Sequence, residues 1–289
     1  MSQARTRLAL ALAFALSVAG TAAAEEEEAA PRYRFKEGEK IAFVAEATTT
    51  VDVCSPGRTT TSRMTQLIDI TWQVGRVDAD GRAAVTQTIE RIRFKATAPG
   101  KAVEYDTADR KPPDDPDARV LAGLIDSQGG ARLGVTIDPQ GQFTDFEVPG
   151  KAAGAASAEA GFRHLMGQLF PVLPKEAPAR GQSWSVKREG RVRDVLMSVE
   201  NTYTYVGRED RAGRRVDKVA LAALMKREPD MPSQAAVKVS EGSGAAYLDR
   251  AGRLVESSLT RTMEFEAGDA KVTRKVTETI TLKLADGPK

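Results

Sequence analysis

Four turns with one chemistry punctuate this chain: Asp78-Ala79-Asp80-Gly81, Asp138-Pro139-Gln140-Gly141, Asp210-Arg211-Ala212-Gly213 and Asp249-Arg250-Ala251-Gly252. Asp at the first position caps nearby backbone N–H groups, and Gly at the fourth takes the positive φ that a returning strand needs. Runs in which apolar and polar residues alternate flank the turns, and that is the period of a half-buried strand. Together the two signals specify antiparallel hairpins. Two of the turns belong to a longer match: VGRVDADGR at 74–82 recurs as VGREDRAGR at 206–214, identical at six of nine positions. Gly38-Glu39-Lys40-Ile41 and Gly181-Gln182-Ser183-Trp184 open the two halves alike, so the spacing reads as an internal duplication.

The strands can be followed along the chain. Ile41, Phe43, Ala45, Ala47, Val51 and Val53 share one parity, as do Met64, Ile68, Ile70, Trp72 and Val74. Val85 and Ile89 fall out of phase with Ile92 and Phe94, which predicts a β-bulge near Glu90 and Arg91. In the last hairpin Val255, Leu259, Met263 and Phe265 are answered by Val272, Val276, Ile280, Leu282 and Leu284, with threonine and lysine between them. Arg261, Arg274 and Glu278 interrupt that dry face. Arg261 and Glu278 are direct or diagonal neighbours in either plausible register, forming an ion pair or a ligand-facing polar handle.

Two stretches follow the helical period instead. Asp115 caps a helix over Pro116–Ser127 with Val120, Leu121, Leu124 and Ile125 on one face, and Ser157 caps another that ends at Phe170. The expected fold class is mainly β: two related halves of curved antiparallel sheet, half-barrel or sandwich-like, with two short amphipathic helices covering one side. The first half spans 33–150, a linker and helix 151–173, the second half 174–284 and a tail 285–289. Two independent β domains on a flexible linker are the competing arrangement.

Arg5 and Arg7 precede the apolar run Leu8–Gly20 and a small-residue exit at Ala22-Ala23-Ala24, the make-up of a secretory signal peptide over residues 1–24. The run is shorter than the roughly 20 residues that span a bilayer, so no stable membrane insertion is expected once the leader is gone. Residues 25–32 read as a disordered acidic tether. The protein is expected to be exported, to the periplasm or beyond. Cys54 is the single cysteine, which rules out an internal disulfide, and it lies far from any lipoprotein cleavage point. Lys and Arg number 42 against 40 Asp and Glu, and losing Arg5 and Arg7 balances them. No nucleic-acid partner is expected of such a chain.

No residue constellation names a reaction. His164 is the single histidine and lies beside the apolar face of the second helix, with neither an orienting partner nor a nucleophile in its motif. The aspartates of 106–117 lack the spacing and closing glutamate of an EF-hand loop. Neither a cofactor nor a metal is expected, and enzyme is the least favoured class.

The segments YRFKEGEKIAF, LPKEAPARGQSW and GAAYLDRAGRLVESS resemble an uncharacterised family of exported bacterial proteins. The plan of long curved strands with few helices is similar to the half-barrels of periplasmic lipoprotein carriers and related lipid-binding proteins. These resemblances imply a fold plan and an exported setting, and they supply no catalytic residues. A curved sheet with one dry face under helices rich in Leu, Met and Phe can admit an apolar or lipid-like ligand. Phe162, Met166, Leu169, Phe170, Met263 and Phe265 are the residues expected to line it; ordinary core packing is the competing role for each. The alternative function is a structural module of the cell envelope with a protein partner.

Overall fold

The computed structural model describes residues 30–109, 113–126, 128–147, 162–163, 165–192, 195–227, 235–267 and 272–285. The expected leader, Ser157 and His164 lie outside the described residues. The described residues form twelve strands: β1 (Lys40–Ser55), β2 (Arg58–Val77), β3 (Ala83–Ala98), β4 (Lys101–Asp106), β5 (Arg132–Ile137), β6 (Phe143–Glu147), β7 (Ser183–Val192), β8 (Val195–Arg211), β9 (Arg214–Arg227), β10 (Ala235–Asp249), β11 (Leu254–Ala267) and β12 (Val272–Leu284). The helix α1 (Pro116–Asp126) separates β4 from β5, and residues 162–163 and 165–169 are helical.

All twelve strands form one open sheet in the order β6-β5-β3-β2-β1-β12-β11-β10-β9-β8-β7, with β4 pairing beside β3. The fold is therefore the mainly β, antiparallel plan expected from the alternation. The second half is a meander, the first departs from one where β3 pairs with both β4 and β5, and the seam between them joins the first strand to the last: Phe43 pairs with Leu284, and Cys54 with Thr273. The expected bulge falls at Glu90, because Asp69 pairs with Arg91 while the next residue, Ile70, pairs with Ile89.

Every Asp-x-x-Gly turn lies at the same end of the sheet. Three are built alike. Asp78 Oδ1 accepts from Asp80 N and Arg82 N, Asp138 Oδ1 from Gln140 N and Gln142 N, and Asp249 Oδ1 from Arg253 N. The fourth departs from the sequence reading. Arg211 pairs with Arg214, so Asp210 belongs to β8, and Ala212 and Gly213 alone make the turn, with φ of 48° and 74°. Two consecutive positive φ angles match the right-handed twist of a tight hairpin, which leaves no N–H for Asp210 to cap.

The turn end is closed. Trp72, Phe43, Phe143 and Tyr33 surround Phe170, with Trp72 stacked on it at 5.0 Å between ring centres. One buried cluster contains Trp72, Phe43, Tyr33 and Phe170 together with Tyr203, Val219, Leu221, Leu254 and Leu282 from the other half, and Phe143 packs against it. A single sheet reaches one core from both sides only by curving around it. Trp184 Nε1 on edge strand β7 donates to Val172 O at 2.6 Å, and Phe162 meets Phe143 and Phe146 on the opposite edge strand, β6. The 162–173 segment thus fills the space between the two edges. Residues 31–32, expected to be loose tether, are held here: Pro31 is buried, and Arg32 Nη1 donates to Pro174 O. Tyr33 N and Arg34 N extend this anchorage by donating to Pro139 O and Gly252 O.

Gly242 and Gly244 let β10 approach β11. A Cβ on Gly244 would sit 1.9 Å from Ser258 O, inside the backbone itself. Glycine in a strand interior marks such close approach and sharp coiling.

Candidate functional site

Strand registers order the concave face into rows that cross the whole sheet. The deepest complete row runs Trp184, Tyr203, Leu221, Gly244, Leu259, Ile280, Ala47, Gln66 and Phe94. From Trp184 to Ala47 it lines the closed core, and Phe94 at its end belongs to a second buried cluster. One step toward the far end, the row reads Val186, Asn201, Ala223, Gly242, Arg261, Glu278, Thr49, Met64 and Ala96. Here polar groups enter. Arg261 and Glu278 face each other directly and form an ion pair, with side chains 11% and 19% exposed. Asn201 is buried and donates to Tyr203 Oη at 3.4 Å. Opposite charges in direct cross-strand register attract at low dielectric, which offsets part of the cost of removing both from water.

Beyond this belt no described strand residue joins either buried cluster. Met263 pairs with Val276, Val276 with Val51, Phe265 with Arg274 and Arg274 with Val53. All share the concave face by parity with Leu259, Ile280 and Ala47. Val51, Val53, Met263, Phe265 and Val276 are half-buried, and Arg274 is exposed. The result is an apolar mouth that spans three neighbouring strands, with an arginine at its rim and a polar belt at its floor.

The helix α1 walls one flank. Ala118 and Ala122 on its inner face are buried with Ile125, and Ala122 and Ile125 join Ile92, Phe94 and Tyr105 in a second cluster that touches Met64 and Ile68. Asp115 Oδ1 caps it by accepting from Ala118 N. Val120, expected on the buried face, is 69% exposed. The sheet takes positions four and seven residues after Ala118 and turns Val120 outward. Tyr105 Oη donates to both carboxylate oxygens of Asp126 at 2.7 Å, which fastens the helix end to β4. That hydrogen bond, with burial and the nearby negative charges, pushes the Tyr105 hydroxyl up to about 12. Arg91, which donates to Asp106, holds that carboxyl down at about 2, and the Ala108 N–H contributes in the same direction.

The six residues expected to line a site separate into two groups. Phe162, Met166, Leu169 and Phe170 are buried in the closed core, whereas Met263 and Phe265 lie in the open mouth and belong to neither buried cluster. Local sequence did not reveal Val51, Val53 and Val276 as their companions, because the β1–β12 seam joins segments more than two hundred residues apart. Among the described residues, no group of three or more His, Cys, Asp or Glu side chains is placed to hold a metal ion. No helix among them is long and apolar enough to cross a membrane.

The sequence matches no protein-family model and no curated protein. Among solved structures, the chain is similar to lipovitellin, in a structure describing its lipid–protein interactions, at a TM-score of 0.57 and 11% identity. The match covers 88% of this chain and 26% of lipovitellin, so the chain spans about a quarter of that protein. This likeness shows the fold alone. An outer membrane channel from Pseudomonas putida is matched at a TM-score of 0.24 and 9% identity, over 88% of this chain and 97% of the channel. A DUF1329 family protein from Desulfovibrio piger is matched at 0.16 and 10% identity, over 86% and 88% of the two chains. Scores that low carry no structural argument.

Proposed function

We propose that this chain is an exported, non-enzymatic protein that binds an amphiphile in the open end of its curved sheet. The observation that carries the reading is the mouth itself, where Val51, Val53, Met263, Phe265 and Val276 share the concave face beyond the polar belt and stay half-exposed. An apolar chain laid across these strands removes that surface from water. Arg274 at the rim suits an anionic headgroup. Lipovitellin, which shares the fold, is described through its lipid–protein interactions, and that agrees with this ligand class.

Magnitude sets the size of ligand. About ten buried methylenes at roughly 0.8 kcal/mol each give about 8 kcal/mol, and association costs on the order of 4 kcal/mol or more. The remainder corresponds to roughly millimolar affinity. Tighter binding therefore requires a longer chain or the Arg274 contact, so a long-chain fatty acid is a better probe than a short one.

Native mass spectrometry and lipid extraction of protein purified without detergent test the reading. An amphiphile should co-purify, a fluorescent fatty acid should bind, and Val276→Asp should weaken that binding about tenfold or more while the fold persists. Protein that purifies empty and binds no fatty acid would refute it. The second reading, an envelope module with a protein partner, rests on β6 and β7 ending the strand order as edge strands and on exposed Val120. It would then take precedence.

A further inference from the structure

The closed end carries a different chemistry. Between the β8–β9 and β10–β11 tips lies an open groove of about 620 Å³, lined by Arg214, Arg215, Asp249, Arg250, Ala251 and Arg253. Four guanidinium groups surround one carboxylate, and that carboxylate is already engaged. Asp249 Oδ1 accepts from the Arg253 backbone, and its Oδ2 accepts from Arg253 Nε and Nη2 at 2.9 and 2.8 Å. Arg253 and Asp249 therefore cancel.

Neighbouring acids are engaged in the same way by cations outside the groove. Glu256 accepts from Arg211, Asp217 from Arg208 and Glu209 from Lys218. Among the described residues at these tips, Asp210, across the register from Arg215, is a further carboxylate to set against Arg215 and Arg250. Arg34 lies against the same turn, since a Cβ on Gly252 would come within 2.9 Å of its Cγ, and it is exposed. The groove thus holds a surplus of positive charge from two hairpins whose backbones are fixed by tight turns. Guanidinium forks converging from different elements suit the several oxygens of a phosphate better than a single carboxylate. The volume also exceeds that of a bare ion and lies within the range of small-molecule sites.

From this we infer that the arginine groove at the β8–β9 and β10–β11 tips binds a phosphate group, carried either by a soluble phosphate ester or by a phospholipid head. The site is separate from the apolar mouth, which lies at the other end of the sheet, and does not depend on it. The β8–β9 register holds Arg215 and the turn capped by Asp249 holds Arg250, which presents their charge to an incoming anion.

The test uses the full chain at low ionic strength with two probes: inorganic phosphate, and vesicles of phosphatidylglycerol or phosphatidylcholine. Calorimetry and thermal shift should show phosphate binding that weakens as salt is raised and falls at least tenfold in Arg215→Gln/Arg250→Gln. Arg274→Gln, at the other end, should leave it unchanged. Sedimentation with phosphatidylglycerol vesicles alone, lost in the double variant and competed by phosphate, assigns the phosphate to a lipid head. Phosphate binding with no vesicle association assigns it to a soluble ester. Equal binding by wild type and the folded double variant, or no response to either probe, would overturn the site.

Discussion

Gly244 is the residue on which the curvature of the second half depends most sharply. Any Cβ there meets the Ser258 carbonyl and the Leu259 backbone, neither of which can swing aside as a flexible side chain would. Gly244→Ala should therefore destabilise by about 3 kcal/mol or more, at or beyond the upper end of ordinary overpacking. Gly123 is the contrast, because a Cβ added to it meets nothing within 4 Å and it lies inside α1. Gly123→Ala should stabilise by about 0.5 to 1 kcal/mol. Urea unfolding of both variants checks the pair, and similar effects of equal sign would contradict this account of the strand crossing. Sequence patterning exposed the Arg261–Glu278 pair, because register and parity suffice to place two residues of one hairpin. It did not expose the clash at Gly244, which arises from backbone proximity between strands and leaves no mark in a hydrophobic pattern.

The helix α1 shows where reading an element from its own sequence stops. Its start was legible in the Asp115 cap, a piece of local chemistry. The buried face was not, since the sheet covers Ala118, Ala122 and Ile125 and leaves Val120 exposed, a choice that the helix's own apolar pattern does not make. Tyr105 fastens the element to β4, and Asp106 in turn ties β4 to Arg91 on β3. Tyr105→Phe removes the hydrogen bond to Asp126 and should cost about 1 kcal/mol, read as a lower melting temperature and faster amide exchange in α1. Asp106 supplies the pH dependence. Its folded-state value of about 2 lies below the ordinary 3.8, so its contribution is present above pH 3.8 and is lost as the pH falls through 3.8 toward 2. Asp106→Asn should be less stable than wild type at neutral pH, and the gap should close across that acid window. A gap that stays constant down to the acid limit would rule out the Arg91 contact as its cause.

At the scale of the molecule, the turns and alternation in the sequence specified a mainly β chain of antiparallel hairpins with a helix beside them. They could not specify the β1–β12 seam, which closes the loop between the chain's two ends and makes one sheet of both halves. Non-local pairing has no local signature. Because one buried cluster draws side chains from both halves, the halves should unfold together, with calorimetric and van't Hoff enthalpies in agreement. Proteolysis that leaves two separately folded fragments would favour independent domains instead.

The seam also brings Val51 and Val276 beside Met263, and on that juxtaposition the ligand reading rests. Methyl NMR of the labelled methionines during titration with a long-chain fatty acid examines it residue by residue. The Met263 signal should shift with saturation, Met64 beside the polar belt should shift less, and Met166, sealed in the closed core, should stay still. A shift at Met166 with none at Met263 would place the ligand in the core rather than the mouth, and no shift at either would contradict amphiphile binding.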